Sequence, residues 1–152
     1  MAEIPARLTA GPKDLDWLTQ SLKLSMPQNP ALKTLLEGLP NIYLETWPAG
    51  SEVVREGERS EDFFVVYDGE LTVRREPVRG PARVLGTLKP GDFFGEIGFL
   101  MKSARSATVR AETPCRLFRF SSAEFQGLLQ RHRILEDWVE QVACERIEKL
   151  FY

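Results

Sequence analysis

The sequence predicts an α+β fold that is mainly β: an antiparallel β-roll, or jelly-roll barrel, with helices at both ends. Between Ile42 and Phe120, turn signals rich in glycine and proline recur about every ten residues, separated by short runs rich in valine, phenylalanine, leucine and threonine. The segments on either side carry apolar residues at helical spacing. Many short, evenly spaced strands are typical of a closed or double-sheet β architecture.

Length and composition indicate one ordered domain. The chain has 152 residues, is 43% hydrophobic and carries a formal net charge of −2. A chain of this length can bury a core without added cross-links, and its charge gives no general attraction to nucleic acid or to an anionic membrane. We expect an N-terminal helical segment over 1–40 and a β-roll with a C-terminal helix over 41–152.

The sequence also predicts a cytoplasmic location without membrane insertion. Residues 1–10 lack the apolar core of a signal peptide, and no apolar run approaches the ~20 residues that span a bilayer. Cys115 and Cys144 are therefore expected to be free thiols rather than a disulfide. The single histidine, His132, has charged neighbours and is expected to be solvated.

Two helices are predicted before the barrel. Apolar residues recur at helical spacing from Leu15 to Leu22. A second helix is expected with Asn29 as its N-cap and Pro30 at its first position, and Gly38 is expected to help end it.

Within the barrel segment, Asp68-Gly69 separates two strand-like runs and predicts a β-hairpin, because both residues tolerate the positive φ of a tight turn. Residues from Gly95 to Met101 suit one or two helical turns better than a strand. Strands are expected again over 107–111 and 116–120.

Two helices are predicted after the barrel. Ser121 and Glu124 form the pattern of a capping box, and a longer helix is expected after Arg131. We interpret its apolar residues as packing on the barrel, with self-association as the alternative; they are Leu135, Trp138, Val139 and Ile147.

The chemistry is concentrated in the stretch GDFFGEIGFLMKSARSATVRA, residues 91–111. A short helix that begins at a glycine-containing turn presents unpaired N–H groups and the positive end of its dipole. Arg105 offers a planar fork of donors that suits a phosphate, and the Glu96 carboxylate suits a sugar hydroxyl. Ser106 and Ala107 are small enough for their backbone to approach an anion. These residues predict a pocket for a phosphorylated sugar, without identifying the sugar.

The run FGEIGFLMKSARSATV resembles the phosphate-binding cassette of cyclic nucleotide-binding domains, which reads Phe-Gly-Glu, apolar positions, a variable loop, and Arg-(Ala/Ser/Thr)-Ala-(Thr/Ser). The spacing from Gly-Glu to the arginine matches protein kinase regulatory subunits and cyclic nucleotide-gated channels without a gap. The wider resemblance covers about residues 41–150. Gly98 stands where many members have alanine, and Ala104 where many have proline; both are small changes beside the ligand.

The resemblance implies a role for each matching residue. Gly95 would offer its backbone amide to the cyclic phosphate, and Glu96 would accept from the ribose 2′-hydroxyl. Arg105 would pair with the exocyclic phosphate oxygens, while Ser106 and Ala107 would donate backbone N–H groups to the same phosphate. The apolar walls of the pocket would be formed by Leu88, Phe94 and Ile97.

The resemblance leaves the base open between cyclic AMP and cyclic GMP. Members that bind cyclic GMP tend to have threonine at the position of Ser106, and kinase subunits that bind cyclic AMP tend to have alanine. Serine can donate or accept and occurs in bacterial members that prefer cyclic AMP. We therefore favour cyclic AMP.

The C-terminal half also resembles hyperpolarisation-activated channels without a gap. On that register, Arg146 falls where a side chain of the lid helix caps the purine. The alternative is an arginine that extends from a packed helix into solvent.

No catalytic constellation is visible, so we predict a sensor rather than an enzyme, with the nucleotide as its ligand and no separate cofactor. Binding would reposition the C-terminal helix and signal to an unknown protein partner or an attached domain. After that helix the sequence leaves no room for a helix-turn-helix, so DNA is not expected as a partner. The alternative function is a non-binding interaction or scaffold module with a vestigial cassette.

Overall fold

The computed structural model describes residues 6–21, 42–60, 62–76, 79–95, 104–131 and 133–151. Within these ranges the strands are β1 Ala6–Thr9, β2 Ile42–Trp47, β3 Glu52–Val54, β4 Phe63–Asp68, β5 Leu71–Arg75, β6 Arg83–Leu88, β7 Phe93–Phe94, β8 Thr108–Ala111 and β9 Cys115–Phe120. The helices are α1 Pro12–Ser21, α2 Ser122–Arg131 and α3 Arg133–Phe151.

The described strands form two antiparallel sheets. The five-stranded sheet has the order β1-β2-β9-β4-β7, and the four-stranded sheet has the order β3-β8-β5-β6. Strands that are distant in sequence lie side by side, as in β2 with β9 and β3 with β8. The predicted antiparallel β-roll flanked by helices is confirmed.

Alternation along the strands of the five-stranded sheet separates two hydrophobic cores. On β4, Phe63 and Val65 join an outer core against the helices, whereas Phe64 and Val66 join an inner core between the two sheets. The adjacent residues Phe93 and Phe94 of β7 divide in the same way. Continuous apolar runs in these strands follow from this burial on both faces.

Helix α1 packs on the outer face through aromatic rings. The Trp17 ring stacks on Tyr67 with centroids 4.5 Å apart, and Tyr67 stacks on Phe118 at 4.9 Å. Desolvation and a hydrogen bond to Asp14 raise the pKa of the Tyr67 hydroxyl. The helix predicted from Leu15 onward is confirmed as far as residue 21, and the second predicted helix lies outside the described residues.

Residues 6–9 form a strand where a helical segment was expected. This strand, β1, pairs with β2 at the edge of the five-stranded sheet, with Arg7 opposite Glu45. Four residues are too few for a pattern to show in the sequence.

The predicted hairpin at Asp68-Gly69 is wrong. Among the described strands, β4 pairs with β7 and β9, whereas β5 pairs with β6 and β8, so the turn is a corner between the sheets. Gly69 has a φ of +95°, and a Cβ there would lie 2.6 Å from both Cys115 Sγ and the Pro114 carbonyl oxygen. The start of β9 therefore occupies the space beside this turn.

The C-terminal helices begin and pack largely as predicted. The Ser121 hydroxyl oxygen accepts a hydrogen bond from the Glu124 amide at 3.3 Å. Val139 and Ala143 of α3 are buried, and Val139 belongs to the outer core, which confirms for this side chain the packing on the barrel. The side chains of Leu135, Trp138 and Ile147 lie outside the description, as does His132.

Both thiols are free: Cys115 is buried and Cys144 is exposed. Burial raises the pKa of the Cys115 thiol. In the part of the chain that the structure describes, no helix combines the length and the apolar character that crossing a membrane would need.

Candidate ligand-binding site

The predicted cassette lies between the end of β7 and the start of β8. Gly95 follows β7 directly, and Arg105 precedes β8 by three residues. Residues 96–103 lie outside the described ranges, so the predicted short helix and the roles of Glu96, Ile97 and Gly98 stay predictions.

The Arg105 side chain is buried and oriented by oxygen acceptors. It is 4% exposed. Its Nη2 donates to the Asp62 carbonyl at 2.8 Å and to the Ser60 hydroxyl at 3.0 Å, and its Nη1 donates to the Gly95 carbonyl at 3.4 Å. A guanidinium held in one orientation inside the protein suits the bidentate binding of an oxyanion.

The backbone of Arg105 is fixed by the turn after β3. Its amide donates to the Glu58 carbonyl at 2.7 Å, and its own carbonyl accepts from the Gly57 amide at 2.8 Å. Two residues later Ala107 is buried, and Ser106 between them is half-buried. The turn thus fixes the segment whose amides are predicted to meet the phosphate.

The position of Gly95 can be filled only by glycine without rearrangement. Its φ is +97°, and a Cβ there would lie 2.5 Å from the Asp62 carbonyl oxygen and 3.0 Å from Arg105 Nη1. The missing side chain allows the end of β7 to approach Asp62, which directly precedes β4 and accepts a hydrogen bond from Arg105.

The two described residues of the predicted apolar walls, Leu88 and Phe94, belong to the inner core. Leu88 and Phe94 are 5% and 3% exposed. The Phe94 ring stacks on Phe64 with centroids 4.8 Å apart and an interplanar angle of 8°, and the Arg105 guanidinium carbon lies 6.0 Å from the Phe64 centroid. The structure therefore brings Phe94, Gly95 and Arg105 together, with Leu88 in the same core.

Arg146 lies elsewhere, on the outer face of the five-stranded sheet. Its guanidinium carbon is 4.9 Å from the centroid of Phe93, which belongs to the outer core. A cation–π contact accounts for an arginine on this side of α3. Its predicted position over a purine stays a prediction.

Sequence reasoning missed an ion-pair network beside the site. Glu45 is fully buried and contacts Arg7 Nη2 at 2.6 Å, Arg119 Nη1 at 3.3 Å and the indole N–H of Trp47 at 3.3 Å. Arg119 also donates from Nε to Asp62 Oδ2 at 2.7 Å. Asp62 thereby connects the network to Arg105: its carboxylate accepts from Arg119, and its backbone carbonyl accepts from Arg105.

A signal for this network exists in the sequence. In the strand CRLFRF, alternation puts Arg119 on the same face as Cys115 and Leu117, which are apolar positions of the inner core. An arginine on an inward face predicts a buried partner. Among the described residues, no cluster of histidine, cysteine, aspartate or glutamate could hold a metal ion.

In a comparison with family models, the model of the cyclic nucleotide-binding domain fits residues 44–132, which is more than half of the chain. The chain belongs to the cyclic nucleotide-binding domain family. The matched region runs from β2 to the end of α2 and contains every predicted site residue except Arg146.

Curated relatives of this cyclic nucleotide-binding domain are bacterial regulators and animal channels. The chain is 33% identical over 112 residues to the cAMP-activated global transcriptional regulator Vfr of Pseudomonas aeruginosa, covering 71% of the chain and 52% of Vfr. It is 31% identical over 112 residues to mouse potassium/sodium hyperpolarization-activated cyclic nucleotide-gated channel 3, covering 74% of the chain and 14% of the channel. The chain thus spans about half of Vfr and a small part of the channel.

Solved structures show the same fold. The regulatory domain of Toxoplasma gondii PKA, solved with cAMP, superposes with a TM-score of 0.77 at 21% identity, covering 88% of this chain and 50% of that one. A cyclic nucleotide-binding domain from Methylobacillus flagellatus gives a TM-score of 0.72 at 17% identity, covering 97% and 81%. At these identities the likeness concerns the fold.

The relatives are regulators and channels by name, not enzymes. One of them is a transcriptional regulator. The prediction that DNA is not a partner therefore finds no support among them and stays a prediction.

Proposed function

We propose that this domain is a sensor that binds cyclic AMP in preference to cyclic GMP. The observation that carries the proposal is the buried guanidinium of Arg105, held by Ser60, Asp62 and Gly95 at the end of β7. Arg105 would pair with the exocyclic oxygens of the cyclic phosphate, because a preoriented fork of donors binds a phosphate with little ordering cost.

The rest of the nucleotide would be bound by neighbouring groups. The amides of Gly95, Ser106 and Ala107 would donate to the phosphate, and the Glu96 carboxylate would accept from the ribose 2′-hydroxyl. Sugar and base would contact the apolar side chains of Leu88, Phe94 and Ile97, beside Gly98.

The preference for cyclic AMP rests on Ser106 and on the relatives. Ser106 stands where threonine is common in members that bind cyclic GMP, and serine occurs at this position in bacterial members that prefer cyclic AMP. Vfr is described as activated by cAMP, and the Toxoplasma domain was solved with cAMP. Both support cyclic AMP as the ligand of this domain.

The output would be a movement of α3. In the structure Arg146 lies on Phe93, outside the inner core. A ligand shifts a conformational equilibrium only through its different affinity for the two states. A contact between Arg146 and the purine would supply that difference, and a protein partner or an attached domain would detect the helix. We further propose that the domain acts in the cytoplasm and without a cofactor.

The test is calorimetric titration of the wild type, Arg105→Ala and Arg110→Ala with cyclic AMP and with cyclic GMP. Removing one partner of a buried charge pair costs roughly 2–5 kcal/mol, so Arg105→Ala should weaken binding about 30- to several-thousand-fold. Arg110 lies on β8 and is exposed. The Arg110→Ala variant loses the same charge as Arg105→Ala, but away from the buried site, so it should bind both nucleotides like the wild type.

The alternative, a scaffold with a vestigial cassette, predicts a different result. Neither nucleotide would then give heat, and neither would raise the melting temperature of the wild type. Equal binding by wild type and Arg105→Ala would contradict the proposed site, and a preference for cyclic GMP would contradict the proposed ligand.

A further inference from the structure

A row of side chains crosses the inner face of the five-stranded sheet and ends at the candidate site. Tyr43 lies opposite Arg119 on the neighbouring strand, Arg119 lies opposite Phe64, and Phe64 lies opposite Phe94. Directly opposite residues share one face of a sheet. We call Tyr43, Arg119, Phe64 and Phe94 the inner row; it leads from β2 to Gly95.

Arg119 is fixed within the inner row by Glu45. The Glu45 carboxylate is completely buried, and its Oε2 lies 2.6 Å from Arg7 Nη2 and 3.3 Å from Arg119 Nη1. A buried carboxylate is costly unless it is paired and hydrogen-bonded. Glu45 therefore holds Arg119 on this side of the sheet.

Arg119 reaches Arg105 through Asp62. Nε and Nη2 of Arg119 both lie 2.7 Å from Asp62 Oδ2, so two nitrogens of the guanidinium contact the same carboxylate oxygen. The carbonyl of the same residue accepts from Arg105 Nη2 at 2.8 Å. A rotation of the Asp62 backbone would move this acceptor and, with it, the guanidinium of Arg105.

A second connection runs through the ring of Phe64. The guanidinium carbon of Arg119 lies 5.2 Å from its centroid, and that of Arg105 lies 6.0 Å from it. The same ring stacks on Phe94, the residue before Gly95. The two arginines therefore share one aromatic neighbour as well as one aspartate.

We infer that Arg119, held by Glu45, is a positioning residue that fixes the Arg105 guanidinium before the phosphate arrives. A planar guanidinium has several donors in fixed directions and can orient its partners, which the single ammonium of a lysine cannot do in the same way. Groups in one polar network are also energetically coupled. The consequence for affinity rests on the proposed function, whereas the order of Arg105 in the ligand-free protein does not.

The experiment compares wild type, Arg119→Gln and Arg119→Lys, with Arg116→Gln as the matched control. Arg116 is also on β9, but it contacts Asp68 and Tyr67 away from the network. We expect ¹⁵N relaxation of the Arg105 Nε–H group to show a lower order parameter in both Arg119 variants than in the wild type and Arg116→Gln. Titration with cyclic AMP should show affinity about 5- to 50-fold weaker for the Arg119 variants.

The lysine variant separates positioning from folding. It keeps a positive charge beside Glu45 and Asp62, so it should retain a melting temperature near that of the wild type even if Arg119→Gln unfolds. An unchanged order parameter of Arg105 in the folded Arg119 variants would overturn the inference, as would an unchanged affinity. If the wild type binds neither nucleotide, the proposed function fails and the relaxation of Arg105 alone decides the inference.

Discussion

Single residues decide how closely the end of β7 approaches Asp62, the residue before β4 that accepts a hydrogen bond from Arg105. Gly95 combines a φ of +97° with a missing Cβ that would lie 2.5 Å from the Asp62 carbonyl oxygen. The same carbonyl is an acceptor for Arg105. A side chain at this position would therefore both strain the backbone and displace the guanidinium of Arg105.

We predict that Gly95→Ala lowers the free energy of unfolding more than Gly50→Ala does. Gly50 has a similar φ of +88° but open space around the added Cβ, so its variant should cost about 1–2 kcal/mol from backbone strain alone. The clash at Gly95 should add roughly 1–3 kcal/mol. Urea unfolding of both variants measures the difference, and equal costs would contradict the close approach.

At the scale of whole elements, patterns with a short period determine where strands and helices begin. Alternation in CRLFRF and in FFVVYD assigns the apolar side chains to the inner or the outer core. The start of α2 depends on a single hydroxyl, because the Ser121 oxygen satisfies the otherwise unpaired amide of Glu124.

We predict that Ser121→Ala destabilises the protein by about 0.5–2 kcal/mol, the usual cost of losing an N-cap. Ser122 is the next residue and the first of α2, so Ser122→Ala should be neutral or slightly stabilising, because alanine has a higher helix propensity than serine. Thermal unfolding of the two variants provides the comparison. A greater loss of stability for Ser122→Ala than for Ser121→Ala would contradict the assignment of Ser121 as the N-cap.

At the scale of the whole molecule, α3 and the five-stranded sheet form the surface that would change with ligand. Val139 contributes to the outer core, and Arg146 lies against Phe93 in the same core. Phe94, the next residue, belongs to the inner core on the opposite face of the sheet. The adjacent residues of β7 thus contact α3 on one side and line the candidate site on the other.

We predict that Arg146→Ala weakens cyclic AMP binding about 2- to 30-fold, the range of a lost contact between a guanidinium and an aromatic face. The barrel should stay folded, because none of the α3 side chains that the structure describes belongs to the inner core. Arg133→Ala removes the same charge from an exposed position at the start of α3 and should leave affinity unchanged. Titration of both variants with cyclic AMP measures the difference. Equal affinities of Arg146→Ala and Arg133→Ala would contradict a place for Arg146 in the proposed site.

Much of the fold and part of the candidate site could be predicted from local pattern and motif. The helix at Leu15, the cap at Ser121 and the strand before Ser121 are confirmed, because each depends on neighbours a few residues away. The motif also led to Arg105, whose burial and oxygen partners fit the expected phosphate site. The turn at Asp68 was misread, because a turn signal does not specify which strands pair beyond it.

The sequence by itself determined the mainly β class and the family, since periodicity and the cassette motif depend on residues that are close together in the chain. Only the tertiary structure decided that Glu45, Asp62 and Arg119 meet, that Arg105 is held by a carbonyl 43 residues away in the chain, and that Arg146 lies on Phe93. The physical reason is that such contacts depend on strand order and register. These are set by the packing of both cores together, not by any local segment.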